Sequence, residues 1–358
     1  MFEIGIFSFG DTYPHPLTGA RQSAHESLRD LIDRIELADR LGLDFYGVGE
    51  HHRPDFSVSA CSTVLAAAAS RTKTIKLGTA TIVLTTDDPV RLYEQFATLD
   101  QISAGRAEIG LGSGVFLESY DLFGVDYEDR KWIYDEKIEL IAAIDASEKI
   151  TFGGKSRPPL DDLIVWPRAY GEHLSIWQTT GLTEQSFERA ARLGLSVQTG
   201  APAAEFDRLA GLVATYRDKG AERGWKRDRL KVALSAHAYI GDDRRKALDT
   251  FFPHYQAYVS NMRLNRGKPA PTREQFEETA ADLNSNIIVG DAEHVIAKLA
   301  HQRARIGHDR HIFQIDWRAV PQADQVRAIE ILANEVAPAL RKQTTATEAA
   351  AQTFPPFI

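Results

Sequence analysis

Segments with the hydrophobic pattern of a buried β-strand alternate along the chain with segments whose hydrophobic residues recur at helical intervals. Residues 3–9 form a β-rich apolar run closed by a glycine, which is typical of a buried strand. Ser23 and Glu26 have capping-box spacing, and the apolar residues of segment 28–41 recur at helical intervals after them. Residues 45–48, Phe-Tyr-Gly-Val, predict a second buried strand. The first fifty residues therefore predict one βαβ unit.

The same alternation continues to residue 341. Further strands are predicted at residues 75–84, 107–111, 174–178, 195–199, 230–240 and 311–316. Further helices are predicted at residues 59–70, 90–104, 132–144, 183–193, 203–223, 244–266, 272–283, 291–306 and 323–341, the 244–266 helix bending or dividing at its internal proline.

Eight strands alternating with at least eight helices predict a (β/α)8 TIM barrel with insertions, an α/β fold. A doubly wound open sheet is the alternative, but it usually carries a glycine fingerprint after its first strand, and this chain has Gly-Asp-Thr there. We expect residues 1–342 to form a single domain with insertions near 150–172 and 251–285. The first insertion is rich in glycine and proline and is compatible with a hairpin, and residues 343–358 are expected to be a C-terminal tail.

Composition narrows the class of protein. The 358 residues are 43% hydrophobic and 26% charged, with a net charge of −8 and no cluster of basic residues, which argues against nucleic-acid binding. The single cysteine, Cys61, excludes an internal disulfide and a cysteine-based zinc site. The start of the chain lacks the pattern of a signal peptide, and no segment is apolar enough to span a membrane. These features predict a cytoplasmic protein.

Three polar residues, Glu50, His51 and His52, directly follow the strand at residues 45–48. In a barrel the carboxyl ends of the strands meet at one mouth, where ligands bind. Adjacent residues on an extended chain point to opposite sides, so at most two of the three share a face. A metal-dependent hydrolase would need further ligands at other strand ends, such as His237 and Asp316. We therefore expect no metal and favour His51 as a functional imidazole over a purely structural one.

Two further strand ends suggest a ligand with a phosphate. Residues 110–114, Gly-Leu-Gly-Ser-Gly, allow a ligand to approach the backbone, although a tight turn explains them equally well. Residues 178–183, Gln-Thr-Thr-Gly-Leu-Thr, lead into a helix whose free amides and dipole favour an anion, although an ordinary helix cap is the alternative. The small residues at 79–81 would let a flat ring lie against the strand.

Four stretches together resemble the bacterial luciferase-like, flavin-dependent monooxygenases. They are GVGEHHRPDF at 47–56, LGTATIVLTTDDPVRLYEQFATLDQISAGRAEIGLGSG at 77–114, WQTTGLTEQSFERAARLGL at 177–195 and NIIVGDAEHVIAKL at 286–299. The second stretch is the most specific. The resemblance is closer to FMN-type members than to the light-emitting subunits, and it also implies a TIM barrel.

The resemblance assigns roles to residues of this chain. His51 would lie near the reactive face of the flavin and assist its oxygen chemistry, and Glu50 would orient neighbouring groups. The segment behind the isoalloxazine often has a non-proline cis peptide in this family, which here would join Ala80 and Thr81. The implied cofactor-binding residues are Thr79, Ala80, Thr81, Gly112, Ser113, Gly114, Lys131, Gln178, Thr180, Gly181, Leu182 and Thr183.

The chain also departs from the light-emitting members. Those proteins carry an arginine at the position of Ser113 and another near Lys131, so this chain offers the phosphate at most one cation. This difference fits a flavin that arrives as a diffusing, reduced substrate.

The resemblance predicts a monooxygenase that uses reduced FMN and dioxygen to oxidise a small organic substrate. From their strand-end positions we expect Phe7, Tyr46 and His237 to line the substrate side. A separate flavin reductase is expected because the chain has no nicotinamide fingerprint, and the resemblance implies a homodimer. Two alternatives remain open: a deazaflavin-dependent oxidoreductase of the same superfamily, and a flavin-binding protein without turnover.

Overall fold

The structure is a computed structural model, and it describes residues 2–200, 203–264, 269–317 and 319–343. The tail predicted at 343–358 lies outside these residues except for Gln343. The strands are β1 (Glu3–Ser8), β2 (Phe45–Val48), β3 (Lys76–Thr79), β4 (Ile82–Val83), β5 (Ala107–Gly112), β6 (Lys149–Phe152), β7 (Leu160–Ile164), β8 (Ser175–Thr179), β9 (Ser196–Thr199), β10 (Val232–Ile240), β11 (Ile287–Gly290) and β12 (Arg310–Gln314).

Helices connect the strands and cover the outside of the sheet. They are α1 (Ala24–Arg40), α2 (Cys61–Ala69), α3 (Pro89–Ser103), α4 (Leu117–Phe123), α5 (Arg130–Ala146), α6 (Glu184–Leu193), α7 (Phe206–Glu222), α8 (Arg244–Leu264), α9 (Arg273–Ala281), α10 (Ala292–Ile306) and α11 (Gln322–Ile331). A π-helical turn, Leu332–Val336, follows α11.

Eight parallel strands close into a barrel in the order β1, β2, β3, β5, β8, β9, β10, β12 and back to β1. The register is continuous around the ring, with Ile6 opposite Tyr46 on one side and opposite Phe313 on the other. The predicted (β/α)8 TIM barrel is therefore confirmed, and the open doubly wound sheet is excluded. The chain reaches this closure because each amphipathic helix returns it to the same end of the sheet.

The capping box of α1 forms as the sequence predicts. The Ser23 hydroxyl accepts a hydrogen bond from the Glu26 amide at 3.2 Å, and the Glu26 carboxylate accepts one from the Ser23 amide at 2.9 Å. These two bonds satisfy amides that the first turn of a helix leaves free. They fix the start of the first helix and, through it, the return of the chain to β2.

Several predicted elements differ in detail. The strand predicted at 75–84 is divided into β3 and β4, and the peptide bond between Ala80 and Thr81 is cis, as the resemblance implies. Strand β11, which the strand pattern missed, pairs in parallel with the end of β10. Helix α4 after β5 was also missed; it has only seven residues.

The two expected insertions contain regular structure. Strands β6 and β7 form an antiparallel pair at residues 149–164, at the place of the first insertion, so the hairpin interpretation is confirmed. Helix α8 continues through Pro253 as a single element, so a division of the helix at this proline is wrong. Phe251 and Tyr255, on either side of the proline, are buried and contact Phe276 and Trp317. Within the described part of the chain, no helix combines the length and apolar character needed to cross a bilayer.

An ionic cluster fills the amino-terminal end of the barrel. Arg310 donates two hydrogen bonds to the Glu108 carboxylate, at 2.6 and 2.9 Å, and a third to Glu3 at 2.6 Å. Its guanidinium also lies between the rings of Phe45 and Trp177, 4.3 and 4.5 Å from their centroids. Arg310 and Glu108 are buried and Glu3 is largely buried, and the three groups satisfy one another, so they close this end of the barrel and leave the carboxyl end as the open one.

Candidate active site

A cavity of about 440 Å³ opens at the carboxyl ends of the barrel strands. This volume lies within the range of about 300 to 1,000 Å³ that is typical of sites for cofactors and small molecules. The predicted residues that line it are Phe7, Glu50, His51, Ala80, Thr81, Gly112, Ser113, Gly114, Thr180, Gly181 and His237. Residues far apart in the sequence are thus brought together at one surface.

Aromatic rings enclose the imidazole of His51. It stacks on Phe56, with centroids 4.2 Å apart and planes inclined by 22°, and it meets Phe9 and Phe116 edge-on at 4.5 and 5.1 Å. Burial lowers the pKa of His51 to about 4, and the nearby Arg53 and His52 add to this shift. The ring is therefore neutral near pH 7, with one nitrogen that donates a hydrogen bond and one that accepts.

Glu50 connects the end of β2 to the segment around the cis peptide. Its amide donates to the Thr81 carbonyl at 2.9 Å, and its carboxylate accepts from the Val83 amide at 3.0 Å. The second carboxylate oxygen is 2.7 Å from Nε2 of His52. Glu50 therefore positions the wall of the cavity and is itself held by His52.

The histidines at residues 51 and 52 point to different surroundings. His52 is bonded to Glu50 and meets Phe123 of α4 edge-on, whereas the His51 ring lies among aromatic side chains. Among the described residues no group of three or more His, Cys, Asp or Glu side chains is arranged to hold a metal ion. Within the triplet after β2, Glu50 and His52 are therefore bonded to each other, while His51 packs among aromatic rings.

The segment 79–81 is fastened to β5. The Thr79 hydroxyl donates to the Gly110 carbonyl at 2.9 Å and accepts from the Gly110 amide at 2.8 Å. The Thr81 hydroxyl donates to the same carbonyl at 2.5 Å and accepts from Thr179 at 3.2 Å. Thr79 is buried behind the wall, so Ala80 and Thr81 are the members of this segment that reach the cavity.

Gly112 and Gly114 belong to a second wall, the glycine wall, and neither position has room for a side chain. A Cβ added at Gly112 would lie 2.8 Å from a methyl carbon of Thr81, and one added at Gly114 would lie 2.7 Å from Val83. Gly114 also has a φ of +78°, which glycine adopts without strain. The backbone here therefore presents a flat surface beside Thr81.

The threonine turn joins β8 to α6 and faces the cavity through Thr180 and Gly181. Within the described residues, the amides of Gly181 and Leu182 donate to no protein acceptor. A Cβ added at Gly181 would meet no described atom within 4 Å, so the space in front of the turn is open. Free amides in a turn just before a helix amino terminus, beside open space, suit an anion such as a phosphate.

His237 belongs to a separate aromatic group on the other side of the cavity. Its ring stacks on Trp317 with centroids 4.1 Å apart and an angle of 9° between the planes, and Trp317 also contacts Tyr258 at 4.4 Å. The Nδ1 atom of His237 is 2.9 Å from Oε1 of Gln314. Burial lowers the pKa of His237 to about 4, although the bond to Gln314 opposes the shift.

Several candidate residues do not reach the cavity. Tyr46 is fully buried on the outer face of β2, where Arg34 of α1 lies 3.5 Å from its hydroxyl. Gln178 is buried and donates to the Ser186 carbonyl, and Lys131 is an exposed residue of α5. Leu182 and Thr183 continue the turn without lining the cavity. The assignment of all these residues to cofactor or substrate stays a prediction.

Some of the cavity's most distinctive side chains were not predicted from the sequence. These are Phe9, Phe56, Phe116, Gln314 and Trp317. The two-residue period of β12 could have indicated that Gln314 shares the inward face with Arg310. The three phenylalanines sit in loops, and loops have no period that shows which way their side chains point.

A comparison of the sequence with known protein families identifies one family for this chain. The family model described as luciferase-like monooxygenase matches residues 2–310. The chain therefore belongs to the luciferase-like monooxygenases.

Individual relatives are more distant. The oxygenase component of a flavin-dependent trigonelline monooxygenase from Acinetobacter baylyi is 25% identical, the match covering 89% of this chain and 91% of the relative. A monooxygenase of solved structure from Streptomyces bottropensis has a TM-score of 0.80 at 24% identity and covers 94% of this chain and 99% of its own.

Two further structures share the fold but differ in their cofactors. The oxygenating constituent of 3,6-diketocamphane monooxygenase from Pseudomonas putida, in complex with FMN, has a TM-score of 0.74 at 19% identity, covering 94% of this chain and 98% of that one. An F420-dependent secondary alcohol dehydrogenase has a TM-score of 0.72 at 18% identity, and the match covers 95% of this chain and 99% of that one. At these identities the likeness concerns the fold.

Proposed function

We propose that this monooxygenase uses reduced FMN and dioxygen to oxidise a small organic substrate inside the cavity. One observation carries the proposal. A single cavity combines a neutral imidazole, a glycine wall without side chains at Gly112 and Gly114, and a turn with free amides just before a helix. A planar ring with a phosphate tail is the kind of ligand that these three features fit together.

The residues fit the cofactor as follows. The ring would lie against Ala80–Thr81 and the glycine wall, and the phosphate would bind at the turn of Thr180 and Gly181. Bound reduced flavin supplies two electrons, so that one oxygen atom of O₂ enters the substrate and the other leaves as water. The protein supplies position, hydrogen bonds and the exclusion of bulk water.

His51 is the residue that we assign to acid–base chemistry. A neutral imidazole can accept a proton or a hydrogen bond through one nitrogen and donate through the other. Within the described residues neither ring nitrogen has a protein partner, so both are available to a ligand. Phe9, Phe56 and Phe116 keep the ring in place and reduce its contact with water.

The charge of the cavity supports a flavin that is released between turnovers. Among the described residues, Arg53 is the one Lys or Arg side chain that lines the cavity, and it lies 3.3 Å from Asp55 and 3.5 Å from Glu118. The phosphate would therefore be held mainly by neutral donors, which bind it less strongly than cations do. We infer that reduced FMN comes from a separate flavin reductase, and we expect a cytoplasmic homodimer.

Anaerobic titration tests the proposal. Reduced FMN, reduced deazaflavin coenzyme and oxidised FMN are titrated into the protein, and an oxygen pulse then follows with flavin absorbance recorded. We expect the protein to bind reduced FMN more tightly than the deazaflavin and to incorporate oxygen from ¹⁸O₂ into a substrate found by screening.

Other outcomes point to the alternatives. Preferential binding of the deazaflavin coenzyme with oxygen-independent turnover would identify a dehydrogenase, an activity known from one protein of this fold. Binding of FMN without any accelerated product formation would indicate a binding protein. Analytical ultracentrifugation of the same preparation measures the expected dimer.

A further inference from the structure

The cavity has two chemically different sides, and the side away from the proposed flavin contacts has its own pattern. We call it the substrate wall and define it by His237, Tyr258, Gln314 and Trp317, which come from β10, α8, β12 and the segment after β12. The inference below rests on the proposed function, because it assigns this wall to the organic substrate.

Rigid packing fixes the rings of the substrate wall. His237 and Trp317 are nearly parallel, and Trp317 packs against Tyr258 on the wall and against Phe251 and Tyr255 behind it. Trp317 is 2% exposed, whereas the ring of His237 is partly exposed and borders the cavity. The wall therefore offers a preformed aromatic surface, which favours a flat, apolar partner.

The hydrogen bond between His237 and Gln314 determines which nitrogen can meet a ligand. The amide of Gln314 presents its oxygen to Nδ1 of His237, and in this orientation Nδ1 is the donor. In the neutral ring Nε2 then carries the lone pair. Within the described residues Nε2 has no protein partner, and it is not sealed from the cavity. The wall thus presents Nε2 of His237 as a hydrogen-bond acceptor beside an aromatic surface.

Among the described residues, the charged side chains lie outside the substrate wall, elsewhere on the lining of the cavity. The charged side chains that line it, among the described residues, are Asp11, Glu50, Arg53 and Glu118, all in segments that follow β1, β2 and β5. The substrate wall offers no described group of opposite charge to a carboxylate or an ammonium. Burying such an ion there would carry an uncompensated desolvation cost.

We propose that the substrate is an uncharged aromatic compound with a hydroxyl group, a phenol, whose O–H donates a hydrogen bond to Nε2 of His237 while its ring packs on the substrate wall. His237 is then the specificity-determining residue, because its Nε2 selects the hydroxyl, and Trp317 holds the His237 ring in place by stacking on it. A hydroxyl also accepts hydrogen bonds, and the Gln314 amide nitrogen, which donates to no described protein group, is the neighbouring donor.

Three probes of the same size test the assignment by isothermal titration calorimetry on the full chain, with and without oxidised FMN. They are 4-methylphenol, 1,4-dimethylbenzene and 4-methylbenzoate. We expect 4-methylphenol to bind about tenfold more tightly than 1,4-dimethylbenzene, in line with one hydrogen bond to a site that would otherwise leave an acceptor unpaired. The benzoate should bind most weakly of the three.

The variant His237→Phe keeps a ring in the stack and removes the acceptor. It should lower the affinity for 4-methylphenol to that for 1,4-dimethylbenzene, whose affinity should change by less than about twofold. His25→Phe, at an exposed position of α1, is the matched control and should keep the tenfold preference.

Equal binding of the phenol and the dimethylbenzene to the wild-type protein overturns the inference, and so does tighter binding of the benzoate. This comparison needs no variant, so it stays decisive even where His237→Phe does not fold. A phenol preference that depends on His237 in a protein that fails to bind reduced FMN supports the wall assignment and removes the proposed cofactor. Normal binding of reduced FMN without a phenol preference supports the proposed cofactor and overturns the assignment of the substrate wall.

Discussion

The imidazole of His51 stacks on the ring of Phe56, with centroids 4.2 Å apart and an interplanar angle of 22°. Residues five positions apart are thus in face-to-face contact, because the loop after β2 folds back over its own strand end. Its backbone is fixed by the bond from the His51 amide to the Val58 carbonyl at 2.9 Å. The stack holds a neutral imidazole at the cavity, and several properties of the protein depend on it.

The first prediction concerns the protonation of His51. Its pKa of about 4 in the folded protein lies below the ordinary value of 6.5, so the ring should stay neutral from pH 5 upward. Folding therefore loses stability as pH falls from 6.5 towards 4, because the unfolded chain binds this proton more readily. Phe56→Leu exposes the ring and should raise the pKa towards 6.5. NMR titration of the histidine ring carbons measures both values.

The control for this titration is Phe123→Leu, since Phe123 contacts His52 and has no ring contact with His51. It should leave the pKa of His51 unchanged. An ordinary pKa for His51 in the wild-type protein would show that the aromatic rings do not exclude water from it.

The second prediction concerns the catalytic role of His51. His51→Ala should lower the rate of oxygen-dependent product formation about 100-fold, the lower end of what one acid–base group contributes. The Kd for reduced FMN should change by less than about threefold, because the wall and the turn stay intact. Stopped-flow absorbance and product analysis measure the two quantities. An unchanged rate with intact binding would remove His51 from the mechanism.

The third prediction locates the phosphate. Gly181→Val places a branched side chain in the open space before the threonine turn and should weaken FMN binding at least about tenfold. Riboflavin lacks the phosphate, so its Kd should change by less than about twofold. Gly153→Val, where an added Cβ also meets no described atom within 4 Å, is the matched control in the β6–β7 hairpin. A parallel loss of both ligands would place the phosphate elsewhere.

The fourth prediction concerns the ionic cluster at the closed end of the barrel. Burial alone would raise the pKa of Glu3, but Arg310, Lys76 and Lys231 together lower it from 4.5 to about 2. The depressed pKa stabilises the fold above pH 4.5, and this contribution is lost as pH falls from 4.5 towards 2. Glu3→Gln should therefore cost on the order of 3 kcal/mol near pH 7.

Urea unfolding at several pH values measures this difference. The gap in unfolding free energy between the wild type and Glu3→Gln should shrink steadily below pH 4.5. A gap that is independent of pH would mean that the carboxylate's charge does not contribute, and that the variant acts through packing alone.

Local sequence determined much of the architecture. The capping box of Ser23 and Glu26, the strand at residues 45–48 and the regular alternation of spacings are set by neighbours within a few positions, which is why they appear in the structure as the pattern predicts. The resemblance added the cis peptide between Ala80 and Thr81, which no spacing indicates. The short helix α4 and the strand β11 were not predicted, because each is too short to show a clear hydrophobic period.

The sequence by itself thus determined the barrel, the glycine wall and the strand ends at which polar groups gather. Only the tertiary structure decided that Tyr46 faces outward to Arg34 while His237 faces the cavity. It alone brought Phe9 and Phe116 to His51, and Trp317 to His237. The physical reason is that a strand's period assigns residues to one of two faces, whereas loop closure and side-chain packing decide which distant residues share a pocket and whether its imidazoles carry a proton.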